Sequence, residues 1–299
     1  CLGVIQLDAA TVLLQWAVGG MAFCWFTTRR QLVGLGYGWM LRGTYLVLAL
    51  LSLAVALRYG AVAVREASTV AVIAAIVVAL AVSIHRRSAG VSGQIAEHNR
   101  RSERVAAMTG IERAERARDA GAVAGTASAR EFPPILDLVP ALFGAVGLVA
   151  AAIDAAPDGG RDIALSILRI LTGAAFLGAV TNAMLLGHWY LVQPGLPRRL
   201  LNEIVTALAW IWPVEVVALL LPVGMVSVWN GTIDDGWGGM LGWFWAACAV
   251  TTIVLVLVTK AALKERQYSA VMAATGLLYL AILTAFGTDL VARAVLSSG

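Results

Sequence analysis

Long apolar segments recur along almost the whole chain and are separated by short polar turns. Each segment is close to the roughly 20 residues that an α-helix needs to cross about 30 Å of hydrocarbon. Because lipid offers no hydrogen bonds to the backbone, a spanning segment must satisfy its own N–H and C=O groups as a helix. The pattern predicts an all-α, polytopic transmembrane bundle of about eight spans. The apolar segments cover approximately residues 2–28, 38–57, 69–84, 135–155, 163–192, 200–228, 240–259 and 268–296.

One long polar segment interrupts this pattern after the third span. Residues 94–119 are rich in glutamate and arginine at helical spacing, whereas residues 120–129 are mostly Gly, Ala, Ser and Thr. The first composition indicates a charged helix, and the second indicates a flexible linker. A solvated charged arm is the simpler interpretation, and a docking surface for a partner subunit is the alternative. The chain is thereby divided into three parts: spans one to three (1–87), the arm with its linker (88–133), and spans four to eight (134–299).

The loops along the chain are alternately basic and acidic, in step with the alternating direction of the spans. If the spans alternate in direction, one side of the membrane collects the basic segments 29–30, 88–119, 198–199 and 260–266. The acidic turns 154–158 and 234–235 fall on the other side, together with two exceptions, Arg58 and Arg65. Since loops rich in Lys and Arg stay in the cytoplasm, we expect both termini outside and the arm inside, in a bacterial-type inner membrane.

Composition narrows the function classes. Hydrophobic residues make up 60% of the 299 residues and charged residues only 13%, and the net charge of +4 is explained by the basic loops, so no nucleic-acid partner is indicated. The three cysteines have no metal-type spacing. Phosphate-binding, zinc-protease and nucleophile-elbow motifs are absent from the sequence. We therefore expect membrane lipids and other subunits of a membrane complex as partners, and no independent soluble catalytic centre.

The chemically richest stretch lies between the fifth and sixth spans. Its distinctive side chains are those of His188, Trp189, Tyr190, Arg198, Arg199, Asn202 and Glu203. Histidine and glutamate supply the hydrogen-bond donor and proton acceptor that a quinone head group needs. The two arginines suit an anionic lipid headgroup. The simplest interpretation is an aromatic anchor and a turn whose arginines fix the topology.

Two histidines allow a haem site. His85 ends the third span and His188 lies near the end of the fifth, and alternation places both at the cytoplasmic leaflet. Two neutral imidazoles on separate helices at one depth are what a b-type haem needs as axial ligands. An interfacial or hydrogen-bonding role for each histidine is the alternative.

Glu215 is the most conspicuous ionisable residue within a span. An ionised side chain in the bilayer costs about 2.5 to 3.5 kcal/mol on insertion scales. The helical rise places Glu215 about 18 Å beyond Glu203, which is close to mid-membrane. It is a candidate proton relay or quinol-facing carboxylate, or else a neutral acid or the ion-pair partner of Arg169. Asp289 and Arg293, four residues apart, form a predicted helical ion pair near the outer end of the last span.

Three functions are compatible with these patterns. The first is a membrane subunit of a respiratory electron-transfer complex that binds quinone or b-type haem at the cytoplasmic leaflet. The second is a transporter or proton/ion channel whose path includes Glu215, Arg169 and Asn182. The third is a lipid-binding scaffold subunit. The sequence favours the first, because its polar groups concentrate at one leaflet and no internal repeat divides it into the two matched halves typical of many transporters.

Overall fold

The structure is a computed structural model that describes residues 8–87, 91, 100, 131–156, 161–193, 195–222, 224–265 and 267–296. The regular secondary structure of these residues is helical, and eight of the helices are long and apolar enough to cross a membrane. The predicted all-α class and the number of spans are confirmed. Most of the arm and linker predicted over 88–133 lies outside the described residues.

The helices follow one another with short connections. They are α1 (Ala9–Thr28), α2 (Leu35–Tyr59), α3 (Ala63–His85), α4 (Leu138–Asp154), α5 (Arg161–Val192), α6 (Arg199–Leu220), α7 (Val226–Trp229), α8 (Met240–Ala262) and α9 (Tyr268–Leu296). A 3-10 turn, Pro134–Asp137, leads into α4. All except the short α7 are candidate membrane spans.

Spans that follow one another in the chain run in opposite directions, so the bundle has two distinct ends. Hydrogen bonds between α2 and the start of α1, and between the end of α5 and the start of α9, fix these directions. We call the end where α1, α3, α5 and α8 finish the basic end, because the arginine and lysine loops lie there. The end where these four helices begin is called the acidic end.

Helix α6 ends earlier than the apolar pattern predicts. The pattern extended the sixth span to Val228, but α6 ends at Leu220 and Leu221 is extended. Pro222 follows, and the residue before a proline is driven out of the helical region by a steric clash with the ring. Glu215 consequently lies about 8 Å from the acidic end of α6 at 1.5 Å per residue. The depth of Glu215 in the membrane stays a prediction.

The eight spans form two rings of four with the same neighbour order. In the first ring α1 packs on α2, α2 on α3, α3 on α4 and α4 on α1. In the second ring α5 packs on α6, α6 on α8, α8 on α9 and α9 on α5. The two rings have equivalent topology although the sequence shows no repeat, because helix packing depends on small residues and shape rather than on residue identity.

Helices α1 and α5 join the two rings along a close, parallel contact, which we call the α1–α5 seam. A Cβ atom added to Gly19 would lie 1.7 Å from the carbonyl oxygen of Ala174, and one added to Gly178 would lie 2.2 Å from the carbonyl carbon of Gly19. Only glycine allows the backbones to approach this closely. Small residues therefore hold the two rings together.

Arg65, one of the two exceptions to the charge pattern, is neutralised inside the bundle. Its guanidinium lies 2.6 Å from a carboxylate oxygen of Asp8 and 2.7 Å from one of Glu66. It also donates to the carbonyl oxygen of Gly60 at 2.7 Å. Because its charge is balanced by two acids, Arg65 contributes little to the charge difference between the two ends.

Candidate functional site

Glu215 is fully buried in α6 with an unsatisfied carboxyl group. Neither of its carboxyl oxygens makes a hydrogen bond of good geometry with a described residue, although the side chains of Thr172 and Asp289 lie close enough to interact with it. Burying an ionised group without partners costs far more free energy than burying a neutral one. The side chains around Glu215 explain how its carboxyl group is accommodated.

The neighbours of Glu215 include an acid and an arginine of α9. Arg293 Nε lies 2.9 Å from both carboxylate oxygens of Asp289, which confirms the predicted ion pair. Gln15 Nε2, from α1, donates to Asp289 Oδ1 at 3.3 Å. Glu215 interacts electrostatically with both Asp289 and Arg293. Together with Arg169 of α5, these four residues form what we call the acid cluster.

Arg169 does not form a salt bridge with Glu215. Its Nε donates to the carbonyl oxygen of Ala218 at 3.1 Å, and its Nη2 donates to that of Leu221. These carbonyls are left open at the C-terminus of α6, where a positive charge also interacts favourably with the helix dipole. Arg169 remains within electrostatic reach of Glu215. It therefore balances charge in the acid cluster while its hydrogen bonds go to the backbone.

Gly173 of α5 provides the space for this cluster. A Cβ atom at this position would lie 2.3 Å from Gln15 Nε2, 2.4 Å from an Arg293 nitrogen and 2.5 Å from Asp289 Oδ1. No real Cβ atom tolerates such distances. Polar side chains of two helices, α1 and α9, therefore pack directly against the bare backbone of α5.

Further hydrogen-bonding groups follow the α1–α5 seam toward the basic end. Trp16 Nε1 donates to Thr181 Oγ1 at 3.0 Å. Asn182 Nδ2 donates to the hydroxyl of Tyr45 at 2.7 Å and to the carbonyl oxygen of Gly20 at 3.1 Å. Thr181, Asn182 and Tyr45 are all buried. Polar groups are thus distributed through the interior of the bundle, not only at the leaflet that the sequence pattern indicated.

A second buried charge cluster lies near the basic end. Arg42 Nε and Nη2 bind the two carboxylate oxygens of Asp137 at 2.6 and 2.8 Å. Arg42 Nη1 donates to Ser83 at 3.1 Å, and Thr28 donates to Asp137 at 3.0 Å. The guanidinium carbon lies 4.2 Å from the ring centre of Phe132. The sequence pattern did not indicate this site. The available signal was the presence of Arg42 and Asp137 inside two predicted apolar segments.

A small cavity lies beside this pair. Its volume is about 30 Å³, which is enough for one or two water molecules. The lining residues that matter here are Thr28, Gln31, Gly34, Arg42, Glu131 and Phe132. Polar side chains are contributed by Thr28, Gln31, Arg42 and Glu131, and the remaining lining residues are apolar or glycine.

The two candidate haem ligands lie on helices with different neighbours. His85 and His188 are both exposed, on α3 and α5. Helix α3 packs on α2 and α4, whereas His188 faces Tyr279 of α9, with 3.5 Å between Nδ1 and the hydroxyl. No hydrogen bond or ring contact joins the two histidines, both of which the structure describes. The structure does not bring them together as a ligand pair.

The aromatic residues of the predicted quinone stretch tie helix ends together. Trp189 Nε1 donates to Gln193 Oε1 at 3.1 Å, and the same oxygen accepts from the backbone N–H of Gly34 at 3.0 Å. The hydroxyl of Tyr190 donates to the carbonyl oxygen of Pro197 at 2.7 Å. These contacts fix the connection after α5 to the connection after α1.

The polar residues at the start of α6 also make structural contacts. Glu203 lies 2.7 Å from a guanidinium nitrogen of Arg30. Arg198 precedes α6 and donates to a carbonyl of the connection between α8 and α9, while Arg199 begins the helix. Asn202 is half-buried in the first turn. The described contacts of this stretch are those of an anchored turn.

The candidate functional groups are therefore the acid cluster, the polar groups of the α1–α5 seam and the Arg42–Asp137 pair. Among the described residues, no group of three or more His, Cys, Asp or Glu is placed to hold a metal ion. Comparison of the chain with protein-family models, with curated proteins and with solved structures finds no match in any of the three.

Proposed function

We propose that the chain is a multi-pass membrane protein that moves protons across the bilayer, with Glu215 and Asp289 as its proton-binding pair. The observation that carries this proposal is the fully buried Glu215, which lies beside a second carboxyl group and makes no hydrogen bond of good geometry with a described residue. Two neighbouring carboxylates in an apolar interior do not both ionise without cost. An intramembrane acid is therefore a functional-site hypothesis from the outset.

The charge balance of the acid cluster allows Glu215 to exchange a proton. Arg293 is committed to Asp289, so a protonated Glu215 leaves that pair intact and adds no buried charge. When Glu215 loses its proton, the guanidinium of Arg169 offsets part of the new negative charge. A proton-transfer group needs both states to be accessible. The cluster supplies a compensating partner for each state.

The position of the acid cluster also supports transport. Its side chains come from α1, α5, α6 and α9, and therefore from both rings of four helices. In transporters built from repeated halves, ion sites lie at the interface between the halves. The polar groups along the α1–α5 seam continue from this interface toward the basic end. These features favour proton transport over the electron-transfer role that the sequence pattern favoured.

We place the basic end on the cytoplasmic side of a bacterial-type inner membrane. The proposal is supported by the basic residues at the loops of that end, and loops rich in Lys and Arg stay cytoplasmic. The predicted arm between the third and fourth spans is then cytoplasmic. The start of α1 and the end of α9 face outward.

Proton flux into reconstituted vesicles tests the proposed function. Purified protein is placed in vesicles containing a pH-sensitive dye, and a potassium gradient with valinomycin drives proton entry. We expect wild-type protein to conduct and Glu215→Gln to reduce the flux by about a hundredfold, the size of a lost acid–base group. The control is Glu265→Gln, an exposed acid between α8 and α9, which leaves the flux unchanged. Wild-type flux no faster than that of empty vesicles contradicts the proposal.

A second candidate function, quinone binding in an electron-transfer complex, is favoured by one observation. His188 and Tyr279 form an exposed donor–acceptor pair between α5 and α9, and such groups hydrogen-bond quinone carbonyls. Quinone in a solvent extract of the purified protein, lost in His188→Phe, would support this role, and a b-type band in the reduced-minus-oxidised spectrum would support haem. A protein that shows neither property, and no proton flux, fits the lipid-binding scaffold role.

A further inference from the structure

We propose that Gln15 is a positioning residue for proton transfer from Glu215 to Asp289, because its amide is able to bond Asp289 in both protonation states. This inference rests on the proposed function and deepens it, since it names the group of the first ring that takes part in the transfer. Gln15 belongs to α1, whereas Glu215 and Asp289 belong to α6 and α9 of the second ring.

Gln15 reaches the acid cluster as a fully buried side chain. Its Nε2 donates to Asp289 Oδ1 at 3.3 Å and to Oδ2 at 3.5 Å. Trp16, the next residue of α1, packs edge-to-face on Phe286 of α9, with 4.6 Å between the ring centres. Phe286 and Asp289 are three positions apart and therefore neighbours on one face of α9. Two successive side chains of α1 thus contact this face, and the Gln15 amide is held against Asp289.

The amide oxygen of Gln15 is an unused hydrogen-bond acceptor. Gln15 Oε1 is buried and makes no hydrogen bond with a described residue. A buried acceptor without a partner costs free energy, so its retention inside the bundle calls for a second state in which it is bonded. An ionised carboxylate only accepts hydrogen bonds, whereas a protonated carboxyl group also donates one. Gln15 Nε2 therefore suits the ionised form of Asp289, and Gln15 Oε1 suits the protonated form.

The other groups around Asp289 do not supply such an acceptor. The guanidinium of Arg293, which lies 2.9 Å from the carboxylate, has donors only. The titratable and charged side chains on the helices around Asp289 are Arg293 of its own helix, Glu215 of α6, Arg169 of α5 and, beside Gly287, Cys248 of α8. Helix α1 contributes the neutral amide of Gln15. A protonated Asp289 consequently finds its neutral acceptor in Gln15.

The transfer consists of one proton movement and one amide rotation. The side chains of Glu215 and Asp289 lie close enough to interact. An O–H bond of Glu215 breaks as an O–H bond forms on Asp289, so a carboxylic acid and a carboxylate exchange places and the total charge of the cluster is unchanged. Rotation of the Gln15 amide about its last torsion, which is broad and roughly two-fold, replaces the Nε2 donor by the Oε1 acceptor. The bare backbone at Gly173 provides the space in which this amide lies.

The test compares variants of Gln15 with side chains of similar length in the vesicle assay. Gln15→Met removes both the donor and the acceptor, and we expect proton flux to fall about tenfold, the effect of losing one hydrogen bond to a charged group. Gln15→Glu keeps a group that donates when protonated and accepts when ionised, and we expect it to retain the flux. The matched control is Gln267→Met, at an exposed position before α9, which conducts as wild type does.

The outcomes separate this inference from the proposed function. If wild-type protein conducts and Glu215→Gln blocks it, but Gln15→Met conducts normally, the role of Gln15 is overturned and the proposed function stands. If folded Gln15→Met and folded Gln15→Glu both lose the flux, Gln15 does not act through its donor and acceptor atoms, and the inference is overturned as well. If wild-type protein does not conduct, the proposed function fails and this inference fails with it. Should Gln15→Met not fold in a thermal unfolding assay, Gln15→Glu decides the question, because flux supports the inference and its loss overturns it.

Discussion

Glu215 and Arg42 are both fully buried ionisable side chains, but their surroundings differ. Arg42 has a bidentate carboxylate, a serine hydroxyl and an aromatic ring within contact distance. The oxygens of Glu215 make no hydrogen bond of good geometry with a described residue. A charged group with many partners is held in its ionised state and in one arrangement. A group with few partners changes its protonation state with less reorganisation of its surroundings. This contrast is why we assign the exchanging proton first to Glu215.

Gly173→Ala tests whether the acid cluster depends on the bare backbone of α5. The added methyl group collides with Gln15, Asp289 and Arg293, so we expect a loss of about 1–3 kcal/mol in the free energy of unfolding, the usual effect of overpacking. Proton flux falls with it. The matched control is Gly276→Ala, where a Cβ atom meets nothing within 4 Å. Equal stability of the two variants in a thermal unfolding assay would contradict the account.

At the scale of helices, the connection between α7 and α8 is organised by one carboxylate. Asp235 Oδ1 accepts from the N–H groups of Trp237 and Gly239, and Oδ2 accepts from that of Leu241 in the first turn of α8. Burial raises the pKa of Asp235, but the three backbone N–H groups outweigh it and hold the pKa below its ordinary value. The carboxylate thus supplies acceptors to N–H groups that the helix itself leaves open.

Asp235→Asn should lower stability in a pH-dependent way. Because the folded pKa is depressed, the stabilisation is fully present above the unfolded value of about 3.9 and is lost as pH falls through the folded pKa. At neutral pH we expect the variant to lose about 1 kcal/mol, as for other lost caps. The difference from wild type shrinks in thermal unfolding at acidic pH. Asp234→Asn, whose exposed side chain accepts one N–H bond, serves as the control, and a pH-independent loss in Asp235→Asn would refute the assignment.

The sequence predicted those features that depend on one helix at a time. Segment length and hydropathy were sufficient for the eight spans, and the spacing of four residues was sufficient for the Asp289–Arg293 pair. The pairing of Arg42 with Asp137 could not be predicted, because the partners are 95 positions apart and meet only when α2 packs near the start of α4. The early end of α6 was readable from Pro222, but the apolar residues beyond it concealed the break.

At the scale of the whole molecule, two rings of four helices share one seam and have equivalent neighbour orders. An even number of spans in each ring gives both rings the same direction across the membrane. The two charge clusters lie near opposite ends of the bundle, with Asn182 and Tyr45 between them. This arrangement suits a proton path through the bundle better than a ligand pocket. The direction of the proton path depends on which end of the bundle faces the cytoplasm.

Cysteine labelling in intact cells tests that orientation. Thr232 is exposed at the acidic end and Gln267 at the basic end. Each is replaced by cysteine in a Cys1→Ser background, in which the remaining native cysteines, Cys24 and Cys248, are buried. We expect a membrane-impermeant maleimide to label Thr232→Cys in intact cells and Gln267→Cys only after the cells are opened, because the proposed topology places the basic end in the cytoplasm. The reverse pattern would invert the proposed topology without changing the helix arrangement.

Proton transport through Glu215 is tested most directly by potential-driven proton flux in vesicles that carry wild-type protein or Glu215→Gln. We expect flux that reverses when the potential is reversed and that falls by about a hundredfold when the Glu215 carboxyl becomes an amide. Flux that is the same in both proteins would contradict the role of Glu215, and the absence of flux in wild-type vesicles would contradict proton transport itself.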